Sequence, residues 1–377
     1  LASRYYQEGH WQLTAETFQL LVEQYPNHPL RDCALQWLVQ YYSSGEAGCR
    51  ASTNPEVQQV RAEEADLYPA KKKAPANGLD PRDLEQRMLQ AKHWASKLRA
   101  ADLLAHHTPA VQFPLAALYR ANGQSKSAEL IYQNMQRSMP QNAWWQSAAS
   151  ERQLLDNGEL PDTKMTKPLL ICRRAEEKPL LDGQLNESFW TFSDNSDATT
   201  SPNTARLSSP YRDDKQWPAA IQIAFDDEFL YCAVQCKKAP GREYETDEQP
   251  RSRDANLSKM DRVDILIDID RDFTTWYQLT VDYRGWTHET CWHDDSWNPE
   301  WFVAAQTTGQ FWTCEIAIPL TELSKNDPDQ PRLWAVGLQR TVPGIGFQSW
   351  SRPASTSVYP AGFGYLNFDN KSSLADP

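Results

Sequence analysis

The stretch from residue 260 to residue 285 constrains the fold more than any other part of the sequence. Apolar residues first occupy every second position: Val263, Ile265, Ile267 and Ile269. The positions between them include Asp264 and Asp268, and the same alternation resumes in 276-WYQLTVDY-283. A period of two sends successive side chains to opposite faces, so the stretch predicts two half-buried strands in a hairpin. One face belongs to a core, while the other carries acids and a tryptophan.

Short segments of the same kind follow one another from Leu169 almost to the end of the chain. They are 169-LLICRR-174, 221-IQIAF-225, 229-FLYCAVQC-236, 263-VDILIDI-269, 276-WYQLTVDY-283, 312-WTCEIAI-318, 333-LWAVGLQ-339 and 363-FGYLNF-368. Turn residues separate these segments and no long helical pattern intervenes. This organisation is typical of an antiparallel β-sandwich.

The first half of the chain contains an internal repeat. The segments 2-ASRYYQEGHWQLTAETFQLLVEQYP-26 and 116-AALYRANGQSKSAELIYQNMQRSMP-140 share alanine, tyrosine, glycine, aromatic and proline positions at a shift of 114 residues. In such a pattern the small residues let two helices approach, the glycine ends the first helix and the proline closes the second. The spacing resembles the tetratricopeptide helix-turn-helix repeat. A further helix is predicted over 82–105, where Asp80-Pro81 provides a start signal.

Two domains are therefore predicted, since 377 residues exceed one ordinary domain. Residues 1–160 form a helical domain that resembles tetratricopeptide repeats, and residues 167–377 form a β-sandwich. The segment from Ala51 to Leu79 is rich in lysine, proline and glycine, which predicts an exposed loop. The fold class is thus multidomain, α then β.

The β half carries a family resemblance in six segments. They are 182-DGQLNESFW-190, 225-FDDEFLYCAVQC-236, 261-DRVDILIDID-270, 312-WTCEIAIPLTEL-323, 348-QSWSRP-353 and 363-FGYLNF-368. Their order and spacing resemble family-9 carbohydrate-binding modules and their DOMON-like relatives. Sugar-binding members hold a sugar between two tryptophans, with an acid and an arginine on its hydroxyl groups. By this resemblance Trp350 matches one tryptophan and Asp264 the acid, while Ser258 and Thr280 stand at the other two positions.

Other residues of the same sheet face could complete a sugar site. Trp276 shares a face with Gln278, and Trp286 follows shortly afterwards. Sugar CH groups pack on aromatic rings, and carboxylates accept hydrogen bonds from hydroxyl groups. The predicted carbohydrate-binding residues are Trp350, Trp276, Asp264, Gln278 and Trp286. The alternative is that Trp276 covers the sheet edge and that the later tryptophans, Trp286, Trp292, Trp297 and Trp301, pack a long loop.

Cofactors are predicted from the resemblance and from the acids. Family-9 modules often carry structural calcium, and carboxylate oxygens suit this hard cation. The candidate ligands are Asp182, Glu187, Asp268 and Asp270, with solvated turn acids as the alternative. Some DOMON-like relatives bind haem through methionine with histidine or lysine, which would involve Met260 and His288 here. Only five methionines are present, so haem is disfavoured.

Charge and hydropathy exclude two classes of function. The formal net charge is −12, whereas nucleic-acid binders present a basic surface. No apolar run reaches the roughly 18–20 residues of a membrane span. The sequence starts at Leu1 without a signal peptide, and the pairing of the two halves resembles multi-part periplasmic or secreted bacterial proteins. An extracytoplasmic location within a larger bacterial protein is therefore expected.

The predicted function is non-catalytic glycan binding by the β half, joined to a helical scaffold that could hold a protein partner. The sequence contains no G-x-S-x-G motif and no phosphate-binding glycine loop. Two alternatives stay open: an assembly module that binds protein and no sugar, and a haem-binding redox module of the DOMON-like kind.

Overall fold

The computed structural model describes residues 1–53, 81–157, 165–192, 202–211, 213–245, 254–324 and 333–369. The predicted loop over 51–79 lies outside these ranges except for its first three residues. Nine helices occupy the described part of the first half: α1 (Ala2–Gln7), α2 (Trp11–Gln24), α3 (Arg31–Ser43), α4 (Gly45–Thr53), α5 (Pro81–Ala101), α6 (Leu103–His106), α7 (Pro109–Ala121), α8 (Ser125–Ser138) and α9 (Ala143–Asn157).

The repeated sequence forms the same turn twice. Gly9 between α1 and α2 has φ 77°, and Gly123 between α7 and α8 has φ 68°. This left-handed conformation favours glycine, because a side chain would clash with the backbone. The amide of His10 donates to the carbonyl of Tyr5 at 2.8 Å, and the equivalent bond in the second copy has the same length. Each glycine therefore ends one helix and redirects the chain into the next.

The second half consists of short strands and two short helical turns. The strands are β1 (Leu169–Arg174), β2 (Thr204–Leu207), β3 (Ala219–Phe225), β4 (Phe229–Lys237), β5 (Arg262–Asp268), β6 (Tyr277–Asp282), β7 (Thr287–Cys291), β8 (Phe302–Thr308), β9 (Phe311–Pro319), β10 (Leu333–Val342), β11 (Gly346–Ser349) and β12 (Gly364–Asp369). Helix α10 (Leu320–Leu323) follows β9, and a 3₁₀ turn (Pro360–Gly362) precedes β12. This order of helices followed by strands confirms the predicted fold class.

All described strands belong to one curled sheet. Its order is β7-β6-β5-β10-β12-β1-β3-β4-β9-β8, with β11 paired to β10 and β2 paired to β3. The pairing is mixed, because β1 runs parallel to both β12 and β3. The alternation within a segment predicts a strand but says nothing about the direction of its neighbours, so the antiparallel expectation fails at β1.

The curl brings opposite ends of the sheet together around a core. Arg340 on β10 forms a buried ion pair with Asp261 at 2.6 Å and donates to the carbonyl of Lys237 on β4. Trp312 on β9 donates from its indole nitrogen to the same carboxylate at 3.0 Å. A buried charge needs such partners, because an unpaired charge in the core is costly.

The helical half packs on the outer face and one edge of this sheet. The ring of Trp292, just after β7, stacks on Trp37 of α3 at 5.5 Å and meets Trp11 edge to face. Phe113 of α7 contacts Phe273 after β5, with ring centroids 5.2 Å apart. Buried apolar residues of both halves form one continuous cluster. The two halves therefore share a core.

Candidate functional site

A row of polar side chains crosses the outer face of the sheet. His288 on β7 pairs with Thr280 on β6, Thr280 with Asp264 on β5, and Asp264 with Gln339 on β10. We call these four residues the polar row. Gln278 lies two positions before Thr280 and therefore on the same face. The strand register thus brings together Asp264 and Gln278, two of the predicted site residues.

Asp264 is the centre of this arrangement. Its Oδ1 accepts a hydrogen bond from the Thr280 hydroxyl at 2.7 Å and another from Gln278 Nε2 at 3.2 Å. Within the described residues Oδ2 has no hydrogen bond, so this oxygen can accept one from a ligand. Burial raises the pKa of Asp264, opposed by the charge of Arg262 and by these hydrogen bonds. The side chain is 8% exposed, so a ligand would meet the edge of the carboxylate.

An open groove lies at one end of the polar row. It encloses about 600 Å³, within the size range of small-ligand sites. Thr341 and Phe347, paired between β10 and β11, line the groove, together with Tyr211. Thr341 lies two residues beyond Gln339 on the same strand, a separation of about 7 Å on the same face. We call this cavity the hairpin groove.

Tyr211 gives the hairpin groove an accessible aromatic ring. The residue is 73% exposed, and its hydroxyl reaches the carbonyl of Ala354 at 3.5 Å. An exposed aromatic ring beside polar groups suits a ligand with both CH groups and hydroxyl groups. The sequence around it, 208-SSPYRDD-214, has no periodic pattern, and we did not predict Tyr211 or Phe347 as site residues.

The predicted tryptophans occupy three different environments. Trp350 is half-buried beside β12, where a Cβ on Gly364 would come within 2.6 Å of its ring. Trp276 faces the same way as Gln278 but is only 5% exposed, with its ring 4.9 Å from that of His293. Trp286 is half-buried, and the guanidinium of Arg284 lies 4.0 Å above its ring. Trp350 therefore has more surface available to a ligand than Trp276.

The remaining loop tryptophans pack within the protein. Trp292 belongs to the junction of the two halves, where the hydroxyl of Tyr6 also donates to its carbonyl. Trp297 stacks on Tyr277 with centroids 4.5 Å apart, and Trp301 is buried. This packing is the alternative expected from the sequence for these three residues.

Two of the four predicted calcium ligands take part in a turn. Asp182 Oδ1 accepts from the amide of Gln184 at 2.8 Å, and Glu187 Oε1 accepts from that of Leu180 at 3.0 Å. Glu315 on β9 accepts from the amide of Gly183 at 2.9 Å. Burial and the neighbouring Glu187 raise the pKa of Glu315 to about 7. These acids stabilise the connection before β2.

The other two predicted ligands, the buried Asp268 and the half-buried Asp270, lie in an acidic cluster. Carboxylate oxygens of Asp268, Asp270 and Glu46 lie within 4.8 Å of one another. Glu46 was missed because it belongs to the helical half and nothing in its local sequence points to strand β5.

For the haem alternative, Met260 and His288 are both half-buried, and His288 Nε2 lies 3.7 Å from Asp295.

Comparisons with known proteins give similarities to solved structures alone. No protein family and no curated protein matches the sequence. A family-9 carbohydrate-binding module from Caldicellulosiruptor kristjanssonii, in complex with cellotriose, is 14% identical, with a TM-score of 0.39; the match covers 55% of this chain and 97% of that one. The same kind of module from this organism, in complex with glucose, is 15% identical, with a TM-score of 0.38. That match covers 55% of this chain and 100% of the module. At these identities and TM-scores, no site residue of either module can be assigned to a position of this chain.

Among the helices of the described ranges, none combines the length and the apolar character that a bilayer span requires.

Proposed function

We propose that the β half binds a neutral saccharide along the polar row and the hairpin groove. The observation that carries the proposal is the free Oδ2 of Asp264, on the same sheet face as a groove with an exposed tyrosine ring. A carboxylate accepts from sugar hydroxyl groups, and the ring packs on sugar CH groups. Trp350, Gln278 and Trp286 are proposed to extend the contact surface, and Trp276 to support it from below.

We further propose a role for the helical half and a location for the whole protein. Binding is non-catalytic, and the helical half acts as a scaffold with tetratricopeptide-like turns at Gly9 and Gly123. The resemblance of the sequence supports an extracytoplasmic bacterial setting. Fractionation of cells that express the whole protein would test the location, and recovery with the cytoplasmic fraction would contradict it.

Calorimetric titration of the full chain tests the binding. Suitable probes are glucose, cellotriose and a panel of other neutral oligosaccharides. We expect Tyr211→Ala to weaken binding by roughly 2- to 10-fold, from the loss of one ring contact. We expect Asp264→Asn to weaken it by roughly 10- to 100-fold, because a charge-assisted hydrogen bond becomes a neutral one.

Tyr25→Ala is the matched control, because this tyrosine is also exposed but lies at the end of α2, in the helical half. It should bind saccharide like the wild type. Absence of binding to every probe at millimolar concentration would contradict the proposal. Equal affinities for the variants at Tyr211, Asp264 and Tyr25 would place any binding elsewhere.

A second candidate function is the docking of a protein on the helical half. Leu13 and Leu20 are exposed on α2, and their spacing of seven residues places them on one face. Exposed apolar side chains on one helix face suit a protein surface more than a saccharide. Co-purification of a stable partner that Leu13→Ser and Leu20→Ser abolish, together with indifference to all saccharides, would favour this function over the first.

A further inference from the structure

Three acids from both halves of the protein meet at their junction. Glu46 lies in the first turn of α4, Asp268 ends β5, and Asp270 follows two residues later. Their carboxylates are held in place by amides: Ile269 donates to Glu46 at 2.8 Å, and Gly45 donates to Asp270 at 2.6 Å. We call Glu46, Asp268 and Asp270 the acid junction. Its three carboxylates converge within 4.8 Å.

The hydroxyl groups around the acid junction have too few hydrogens for their contacts. Thr275 Oγ1 lies 2.8 Å from Glu46 Oε2, 2.9 Å from Asp272 Oδ2 and 2.9 Å from Ser44 Oγ. Ser44 Oγ in turn lies 3.2 Å from Glu46 Oε2. These four contacts share two hydroxyl hydrogens, because each hydroxyl donates once. If all the carboxylates are ionised, two of these four oxygen–oxygen contacts contain no hydrogen and are therefore repulsive. An added positive charge would resolve this.

A buried hydroxyl group without a hydrogen-bond partner shares a cavity with Asp270 of the acid junction. Ser43 and Asp270 line the same cavity of about 70 Å³ between the two halves. Ser43 is 5% exposed, and its Oγ has no hydrogen-bond partner. A buried hydroxyl group without a partner is rare, and a cavity of this size holds one or two waters. Waters that complete the coordination shell of a cation would supply the missing partner.

The nearby arginines direct their donors elsewhere. Arg120 pairs with Glu151 at 3.0 Å and donates to the carbonyl of Asp270, and Arg87 donates to the carbonyls of Tyr41 and Ser44. Within the described residues no arginine or lysine forms an ion pair with the acid junction. The alternative to a cation is that the acids retain protons, since burial raises the pKa of Glu46, Asp268 and Asp270.

We propose that the acid junction binds a divalent cation of the Ca²⁺ class and thereby fastens the helical half to the β half. The donors are carboxylate oxygens, which calcium prefers, and Ca–O distances of about 2.3–2.6 Å allow two ligands of one ion to lie about 5 Å apart. The site needs Glu46, so it exists only where the two halves are joined. It is independent of saccharide binding.

Calcium titration of the chelator-treated full chain tests the proposal. We expect calcium at 100 times its dissociation constant to raise the ratio of folded to unfolded protein about 100-fold. The midpoint of thermal unfolding should rise accordingly, and hydrogen exchange at the amides of Gly45 and Ile269 should slow. In Glu46→Gln both responses should disappear, while the neutral side chain keeps an oxygen for the amide of Ile269.

Asp182→Asn is the matched control, because Asp182 is a predicted calcium ligand away from the junction. It should retain the full calcium response. The proposal is overturned if the wild type shows no calcium response, or if Glu46→Gln responds as the wild type does. If Glu46→Gln does not fold, Asp270→Asn replaces it under the same criteria. Stability that is insensitive to calcium but rises as the pH falls would identify retained protons instead.

Discussion

Replacement of Glu151 by glutamine should destabilise the protein more than any other single loss of charge at the junction. Glu151 on α9 is fully buried and pairs with Arg120 and Arg271, each at 3.0 Å. The hydroxyl of Tyr365 on β12 donates to the same carboxylate at 3.0 Å. Burial disfavours the charged carboxylate, but the two guanidinium groups outweigh it and lower the pKa of Glu151. One carboxylate therefore joins the helical half to two parts of the β half.

The magnitude follows from what glutamine leaves behind. The amide keeps one oxygen as an acceptor, but its NH₂ group faces a guanidinium, and two half-buried arginines lose their shared counter-charge. Loss of a charge-assisted hydrogen bond costs about 1.5–3 kcal/mol, and a broken buried ion pair about 3–5 kcal/mol. We expect Glu151→Gln to lower the free energy of unfolding by about 3–5 kcal/mol.

Urea unfolding followed by circular dichroism at pH 7 measures this loss. Glu129→Gln is the control, since Glu129 is about one-third exposed and lies 3.9 Å from Arg152. A surface pair of this kind is worth less than about 1 kcal/mol. A loss below 1 kcal/mol in Glu151→Gln would refute the reasoning that this carboxylate is the junction's main counter-charge. Because the folded pKa is lowered, its stabilising effect should fade as the pH falls through that pKa, and the glutamine variant should lack this acid sensitivity.

Three further predictions concern the junction and the thiols. Gly45→Ala should weaken calcium binding in the same titration, because its Cβ would lie 3.0 Å from Asp270 Oδ2; unchanged affinity would contradict this. Without calcium, the free energy of unfolding should fall as the pH rises from 5 to 8. The reason is that burial raises the pKa of Asp272 to about 8, whereas an aspartate in the unfolded chain has already lost its proton in this range. The fall should be about 1.4 kcal/mol per pH unit for each proton that the folded protein retains. A flat pH profile in chelator would oppose it. A thiol reagent should label one cysteine of the native chain, the exposed Cys33, and all seven in denaturant, and fast native labelling of a second would contradict the buried state of the rest.

The local fold was predictable because strands and turns leave short-range signals. The alternation over 263–269 and 276–283 identified β5 and β6, and Gly9 with Gly123 identified two helix ends. These patterns depend on backbone geometry within a few residues, which the sequence displays directly. The direction of β1 has no such signal, because it depends on which strands lie beside it.

The candidate site was only partly predictable for the same reason. Register aligned Asp264 with Thr280, and Gln278 lies two positions before Thr280 on the same face, as the alternation implied. Glu46 and Ile269, in contrast, are 223 residues apart in sequence, and only the packing of the two halves brings them within 2.8 Å. The hairpin groove depends on three separate segments, so Tyr211 carries no sequence signal of its role. Long-range packing decides both features.

The shared core limits how this protein can be divided. Binding modules that fold alone can be moved between proteins by cutting at a linker. Here a cut between the halves would remove the ring contacts of Trp37 with Trp292 and of Phe113 with Phe273. It would also expose a wide apolar surface to water on each fragment. Each fragment alone is therefore expected to aggregate or to need a substitute for the missing half. The unit that evolution can duplicate or transplant is the helical and β halves together.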